Sequence, residues 1–174
     1  MSVLKVAGLK DLNGNTIQSV AQIVSTQKTD SWYSSTTLWT DIPGMSVVIT
    51  PTAASSKILV LVSIQFTTSG HAGIRLYRDQ NPIAFGNPTG NRTFAFDWYY
   101  GTSSYNTAGY PRTNKGGHWL DSPNTTSAIE YKVQYAAPYS SSYYIGVNYN
   151  PYDNSNATWN ASTVSTIHAV EFLQ

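Results

Sequence analysis

The chain of 174 residues contains no cysteine, which excludes a disulfide framework and a thiolate metal site. Charge is also scarce, because Asp, Glu, Lys and Arg make up 11% of the residues and the formal net charge is +1. Binding to nucleic acid or to an anionic membrane would need clustered Lys and Arg, so neither partner is expected. A chain of this length can bury about 70% of its unfolded surface, so one domain with one core is stable without a disulfide or a metal.

Signatures of catalysis are missing as well. His71, His118 and His168 are far apart in the sequence, and none has a second ligand type at metal-binding spacing. The acidic residues are singly placed, so no paired carboxylates predict a glycosidase, and nucleophile-elbow, phosphate-loop and dinucleotide motifs are absent. The sequence therefore predicts a non-enzymatic protein without a cofactor or a metal site.

The N-terminal residues lack the long apolar run of a signal peptide or a membrane span. Residues 1–16 interleave lysines with short apolar pairs, so we expect neither membrane insertion nor export. The Asn13-Gly14 pair favours a tight turn within this segment. We predict that residues 1–16 form an arm that packs on something else, and that residues 17–174 form a single domain.

The residues that the chain does have in abundance favour strands and turns. It contains 13 Tyr and 5 Trp together with many Ser, Thr, Asn and Gly residues, whereas the strong helix formers are few. Only residues 17–24 carry apolar side chains at helical spacing, and they form either a helical turn or the lead-in to a strand. The composition therefore indicates an all-β protein.

Alternating apolar residues predict about ten short strands. Residues 57–66 are apolar on both faces, as in a central strand, and residues 128–135 have one apolar and one polar face. Turns that contain Pro or Gly separate the strands. The other predicted strands are residues 22–26, 37–40, 45–50, 73–79, 82–85, 93–100, 117–121, 142–149 and 165–174. This spacing indicates an antiparallel β-sandwich or barrel.

The last predicted strand, residues 165–174, carries apolar side chains on both faces, so something must cover each face. We assign its bulkier face, with Val170 and Phe172, to the core of the sandwich. Glu171 then points outward, where it needs the rim or a cation of a neighbour. The residues predicted to contact neighbouring subunits are Ile167, Ala169, Leu173, Leu59 and Leu61.

An aromatic stretch at residues 97–111 is the candidate for ligand binding. Tyrosine and tryptophan mixed with Ser, Thr, Asn and Gly can stack on a sugar ring and bond its hydroxyls. The same mixture also occurs in loops that only pack, and both interpretations stay open. The possible glycan contacts are Trp98, Tyr99, Tyr100, Tyr105 and Tyr110.

Five segments in order resemble a family of tailed-phage virion structural proteins that is frequent in phages of cyanobacteria. These segments are residues 22–30, 40–66, 74–86, 118–135 and 164–173. The resemblance implies a trimeric jelly roll similar to C1q and tumour-necrosis-factor domains, present in the virion and made in the cytoplasm of the host. The partners that it implies are two further copies of the chain, the major capsid protein or a tail protein, and possible host surface glycans.

Within that family, the short arm favours a capsid cement or decoration protein, because a fibre protein usually has a long shaft before its tip. The alternatives are a receptor-binding tip of a tail fibre or short appendage, and a free lectin-like carbohydrate-binding module. A trimer would explain strands with two apolar faces, since neighbouring subunits would cover the face that the core does not.

Overall fold

The computed structural model describes residues 12–14, 19–87, 89–100, 112–149 and 161–173. These ranges contain eleven strands and no helix, as the composition predicts, and hence no helix that could span a membrane. The strands are β1 (Val20–Lys28), β2 (Trp32–Ser34), β3 (Thr40–Ile49), β4 (Lys57–Thr68), β5 (Ala72–Arg78), β6 (Asn81–Ile83), β7 (Asp97–Tyr99), β8 (Arg112–Asp121), β9 (Ile129–Ala136), β10 (Ile145–Val147) and β11 (Ser165–Phe172).

The strands form two antiparallel sheets. Sheet one has the order β1-β11-β4-β10-β2, and β8 pairs with the opposite edge of β4; sheet two has the order β3-β9-β5-β6, and β7 also pairs with β5. The first long strand thus pairs with the last, β3 with β9, β4 with β8, and β5 with β6 and β7. This nested pairing is the arrangement of a jelly roll, so the predicted all-β sandwich is confirmed.

The core lies between the sheets and follows the alternation of the strands. The inward residues of β4 (Lys57–Thr68) and β9 (Ile129–Ala136) are almost fully buried, as their sequence patterns predict. Those residues are Ile58, Val60, Val62, Ile64 and Phe66 of β4, and Ile129, Tyr131, Val133 and Tyr135 of β9.

The prediction for the two faces of β11 is wrong. Ile167 and Ala169 are completely buried in the core cluster, and they pair in register with Val62 and Val60, which face the same core. The outer face carries the half-buried Val170 and Phe172 instead. Side-chain bulk misled the assignment, because a small Ala169 fits where the inward valines of β4 already fill the space. Because Ile167 and Ala169 have no exposed surface, they cannot form the predicted contact with a neighbouring subunit.

The sandwich has two distinct ends, which we call the base and the tip. At the base, the start of β4 at Lys57 pairs with Phe172, and Phe172 pairs with Val20 at the start of β1. At the tip lie the end of β4 at Thr68 and the start of β5 at Ala72. Because β4 contains twelve residues, the two ends are about 35 Å apart. The chain enters the sandwich at the base.

Candidate functional site

The outer face of sheet one carries a row of apolar side chains that crosses four strands. Ile23 of β1 pairs with Val170 of β11, Val170 pairs with Leu59 of β4, and Leu59 pairs with Leu120 of β8. Paired residues point to the same side of a sheet, so these four side chains form a continuous stripe about 14 Å long. Ile23 is 64% exposed and Leu120 is 56% exposed. We call these four residues the apolar row.

The next row on the same face is also poor in charge. Leu61 is 37% exposed and lies between two imidazoles, because it pairs with His168 on one side and with His118 on the other. Lys57 lies at the base end of this face, where its ammonium donates a hydrogen bond to the Ser122 hydroxyl at 2.6 Å. A contiguous exposed apolar surface of this kind marks an interaction site more often than a bare monomer surface.

Part of this surface was predicted from the sequence. The sequence predicted Leu59 and Leu61 outside the core, where the structure places them, and Leu173, which is half-buried beyond the end of β11. It missed Ile23 and Leu120, because only the pairing of β1 and β8 with distant strands brings them into line with Leu59. The predicted contact of this face with other subunits stays a prediction.

The predicted outward position of Glu171 is wrong, and the carboxylate finds its partners within the chain. Glu171 is fully buried at the base. Its Oε1 accepts hydrogen bonds from the Thr52 amide at 2.7 Å, the Thr52 hydroxyl at 2.8 Å and the Ser56 hydroxyl at 2.6 Å. Its Oε2 accepts one from the Gln22 amide at 2.6 Å. Burial raises the pKa of Glu171, but the hydrogen bonds from Ser56, Gln22 and Thr52 outweigh it and hold the pKa below its usual value.

A cavity of about 450 Å³ opens at the tip, and two of the five predicted glycan contacts line it. Trp98 and Tyr100 form part of its wall, whereas Tyr99 packs against the core cluster. Tyr105 and Tyr110 lie outside the described residues. The other described lining residues were not predicted, because they belong to three turns that are distant in the sequence. They are His71, Asn91, Arg92, Thr93 and Tyr139. We call this space the tip cavity.

Trp98 is held in the cavity wall by its neighbours on two strands. Its cross-strand partner is Gly73, and a Cβ at Gly73 would overlap the indole ring, so glycine is needed for this close approach. The Trp98 amide donates a hydrogen bond to the Asp97 carboxylate at 2.7 Å. Lys115 and the Gly116 amide bond the same carboxylate at 3.1 Å each, which ties β7 to β8 beside the cavity.

His71 lies in the same wall among tyrosine rings. Its ring centroid is 4.4 Å from that of Tyr100, 5.1 Å from that of Tyr139 and 6.2 Å from that of Tyr143. Its Nδ1 is buried and has no hydrogen-bond partner, a situation that typically costs about 1–3 kcal/mol.

The described residues contain no cluster of three or more His, Asp or Glu side chains that could hold a metal ion. Of the three histidines, His118 and His168 share the outer face of sheet one, and His71 lies at the tip.

No family model matches the chain, and no curated protein matches it. The resemblance to phage virion proteins thus stays a prediction that rests on the five segments, and the functional argument rests on the two surfaces described above.

Proposed function

We propose that this chain is a non-enzymatic structural protein of a tailed-phage particle, a cement or decoration protein that assembles as a homotrimer on the capsid. The resemblance of the five segments supports the place in the virion. The apolar row is the observation that best supports a homotrimer. Three copies around an axis would each turn this face of sheet one towards their neighbours and remove it from water.

The chemistry of this face suits a second copy of the same chain better than an unlike partner. Around a three-fold axis, the residues closest to the axis meet their own copies, and like charges there would repel each other, so a surface at the axis avoids charge. The rows of paired residues on either side of the apolar row face the same way. In these three rows, Lys57 is the only described side chain with a permanent charge. Permanent trimers of this type bury more than about 2,000 Å² in total and have core-like interfaces.

The molar mass in solution tests the trimer. We expect light scattering at micromolar concentration to give about 57 kDa, three times the 19.1 kDa of one chain. Leu120→Lys should give a folded monomer, because it places a charge in the apolar row. Val48→Lys is the matched control: Val48 is 55% exposed on sheet two, so its replacement should leave the trimer intact. A folded wild-type monomer would contradict the proposal.

The position on the particle is tested separately by the number of copies. A decoration protein should be about as abundant as the major capsid protein, whereas a fibre tip should be present in far fewer copies. Deletion of residues 1–16 should abolish binding to particles and leave the trimer mass of the remaining domain unchanged. If the truncated protein still decorates particles, the arm is not the attachment.

The second candidate function is a receptor-binding tip of a tail fibre. The observation that favours it is the aromatic tip cavity, which lies at the end of the sandwich opposite to the point where the chain enters. A low copy number combined with saturable binding to host cells would favour this candidate over the capsid protein.

A further inference from the structure

The tip cavity combines aromatic rings with hydrogen-bonding groups and a cation. Tyr100 and Tyr139 are 76% and 75% exposed, so their rings are open to a ligand. Asn91 and Thr93 add an amide and a hydroxyl, and no acidic side chain is among the described residues that line the cavity. Its volume of about 450 Å³ falls within the usual range for small-molecule sites.

Arg92 gives the cavity its electrostatic character. Its side chain is exposed, and none of the ion pairs between described residues involves it. A guanidinium presents a planar fork of donors that matches a carboxylate in a bidentate contact. The position of this fork beside two tyrosine rings is suited to a ring-shaped ligand that also carries a negative charge.

We propose that the tip cavity binds a saccharide that carries a carboxylate, such as a uronic acid residue. Tyr100, Tyr139 and Trp98 provide apolar surfaces for the face of the sugar ring. Asn91 and Thr93 bond its hydroxyl groups, and Arg92 bonds the carboxylate. A neutral sugar of the same size lacks the last interaction and binds more weakly.

An adjoining cavity extends the site to more than one sugar residue. It has a volume of about 480 Å³ and shares Arg92, Thr93 and Trp98 with the tip cavity. The carboxylate of Asp97 also lines it, but the ammonium of Lys115 lies 3.1 Å away and offsets that charge. A ligand with two or more residues can therefore lie across both cavities with Arg92 between them.

The site is formed by a single chain, so this inference does not rest on the trimer. The described residues that line the two cavities lie at the tip and along the adjoining edge of sheet two, away from the apolar row. Failure of the trimer leaves the saccharide site untouched, and failure of saccharide binding leaves the trimer untouched.

Calorimetric titration with two defined trisaccharides tests the proposal. Trigalacturonic acid is the acidic probe and maltotriose is the neutral one. We expect saturable binding of the acid, with an affinity at least about tenfold higher than that of the neutral sugar, since only the acid can make the charge-assisted contact with Arg92. Equal affinity for the two, or no saturable binding of the acid, would overturn the proposal.

Three variants locate the binding. Arg92→Gln should lower the affinity for trigalacturonic acid about tenfold and leave maltotriose unchanged, whereas Tyr139→Ala should weaken both by about fivefold or more. Tyr33→Ala is the matched control, because Tyr33 is 62% exposed and stacks on Tyr149 rather than on the cavity. All three side chains are exposed, so the variants should fold. A loss in Tyr33→Ala as large as in Tyr139→Ala would refute the assigned site.

Discussion

Replacing Glu171 by glutamine tests whether the buried carboxylate at the base stabilises the fold. The glutamine has the same size, and its single oxygen can still accept the hydrogen bonds from Thr52 and Ser56. Those bonds become neutral, which weakens each by about 1 kcal/mol. The new amide faces the Gln22 amide, which cannot turn round without losing its bond to the Thr50 carbonyl at 2.7 Å. Burial of the neutral glutamine costs less desolvation free energy than burial of the carboxylate, which offsets part of this loss.

The net loss of unfolding free energy for Glu171→Gln should be about 3 kcal/mol. Urea unfolding followed by far-ultraviolet circular dichroism at pH 7 should then show a midpoint lower by about 1–2 M. The protein concentration must be held fixed, because the unfolding midpoint of any oligomer depends on concentration. Glu130→Gln is the control: this side chain is only partly buried, and the change should stay within about 0.5 kcal/mol.

The pH dependence of the same pair of proteins gives an independent check. The pKa of Glu171 is lowered in the folded protein from a reference value of 4.5. A carboxyl group with a lowered pKa contributes its stability fully above the pKa of the unfolded chain and loses it as the pH falls through the folded pKa. The difference in unfolding free energy between wild type and Glu171→Gln should thus be constant from pH 7 to about 5 and shrink below pH 4.5. A midpoint equal to that of wild type at pH 7, or a difference that does not shrink in acid, would refute the reasoning.

Two further substitutions test the core and the sheet. Burial, and then the hydrogen bond to Asp121, raise the pKa of Tyr131, whose hydroxyl donates to that carboxylate at 2.6 Å. Tyr131→Phe should therefore cost about 1–2 kcal/mol and lower the thermal midpoint by about 2–6 °C; an unchanged midpoint would contradict this role. Gly116→Ala should be severely destabilising in the same assay, because its φ is +144° and a Cβ there would overlap the Val62 carbonyl. Gly86→Ala, with open space around the added methyl group, should be tolerated, and equal effects of the two would argue against the close strand contact.

The sequence predicted the parts of the fold that depend on local alternation. The inward faces of β4 and β9 follow directly from the apolar period of two. The face of β11 could not be predicted in this way, because the polar partners of Glu171 come from Gln22, Thr52 and Ser56, which are distant in the sequence. The bulk of Val170 and Phe172 led to the prediction that the glutamate points outward, whereas hydrogen bonds from distant residues hold it inside.

Turn residues caused the errors in strand boundaries. Pro43-Gly44 looks like a break, but it lies inside β3, where the pairing with β9 shifts register between Asp41 and Ser46. The strand predicted at residues 117–121 begins earlier, because β8 starts at Arg112 and runs through Gly116-Gly117, where glycine allows close approach to β4. The short β2 was not predicted, whereas residues 20–24 extend as part of β1, which settles the choice between helical turn and strand.

The candidate site was predictable only where its residues are neighbours in the sequence. Trp98 and Tyr100 belong to one aromatic stretch, and its composition was the basis for predicting them. His71, Arg92 and Tyr139 belong to three separate turns, and their common position follows from the winding of the jelly roll. No local signal marks them, since a single tyrosine or arginine in a turn has no distinctive pattern.

The separation of base and tip has a consequence for how such a protein can diversify. The described lining of the tip cavity comes from turns and strand ends, whereas the apolar row lies on the outer face of sheet one towards the base. Substitutions in the turns can therefore change the lining of the tip cavity without disturbing the apolar row or the point where the chain enters. The lining of the tip cavity and the outer face of sheet one can thus vary as independent traits on one sandwich, and the same independence makes the tip turns a natural place to graft new specificities.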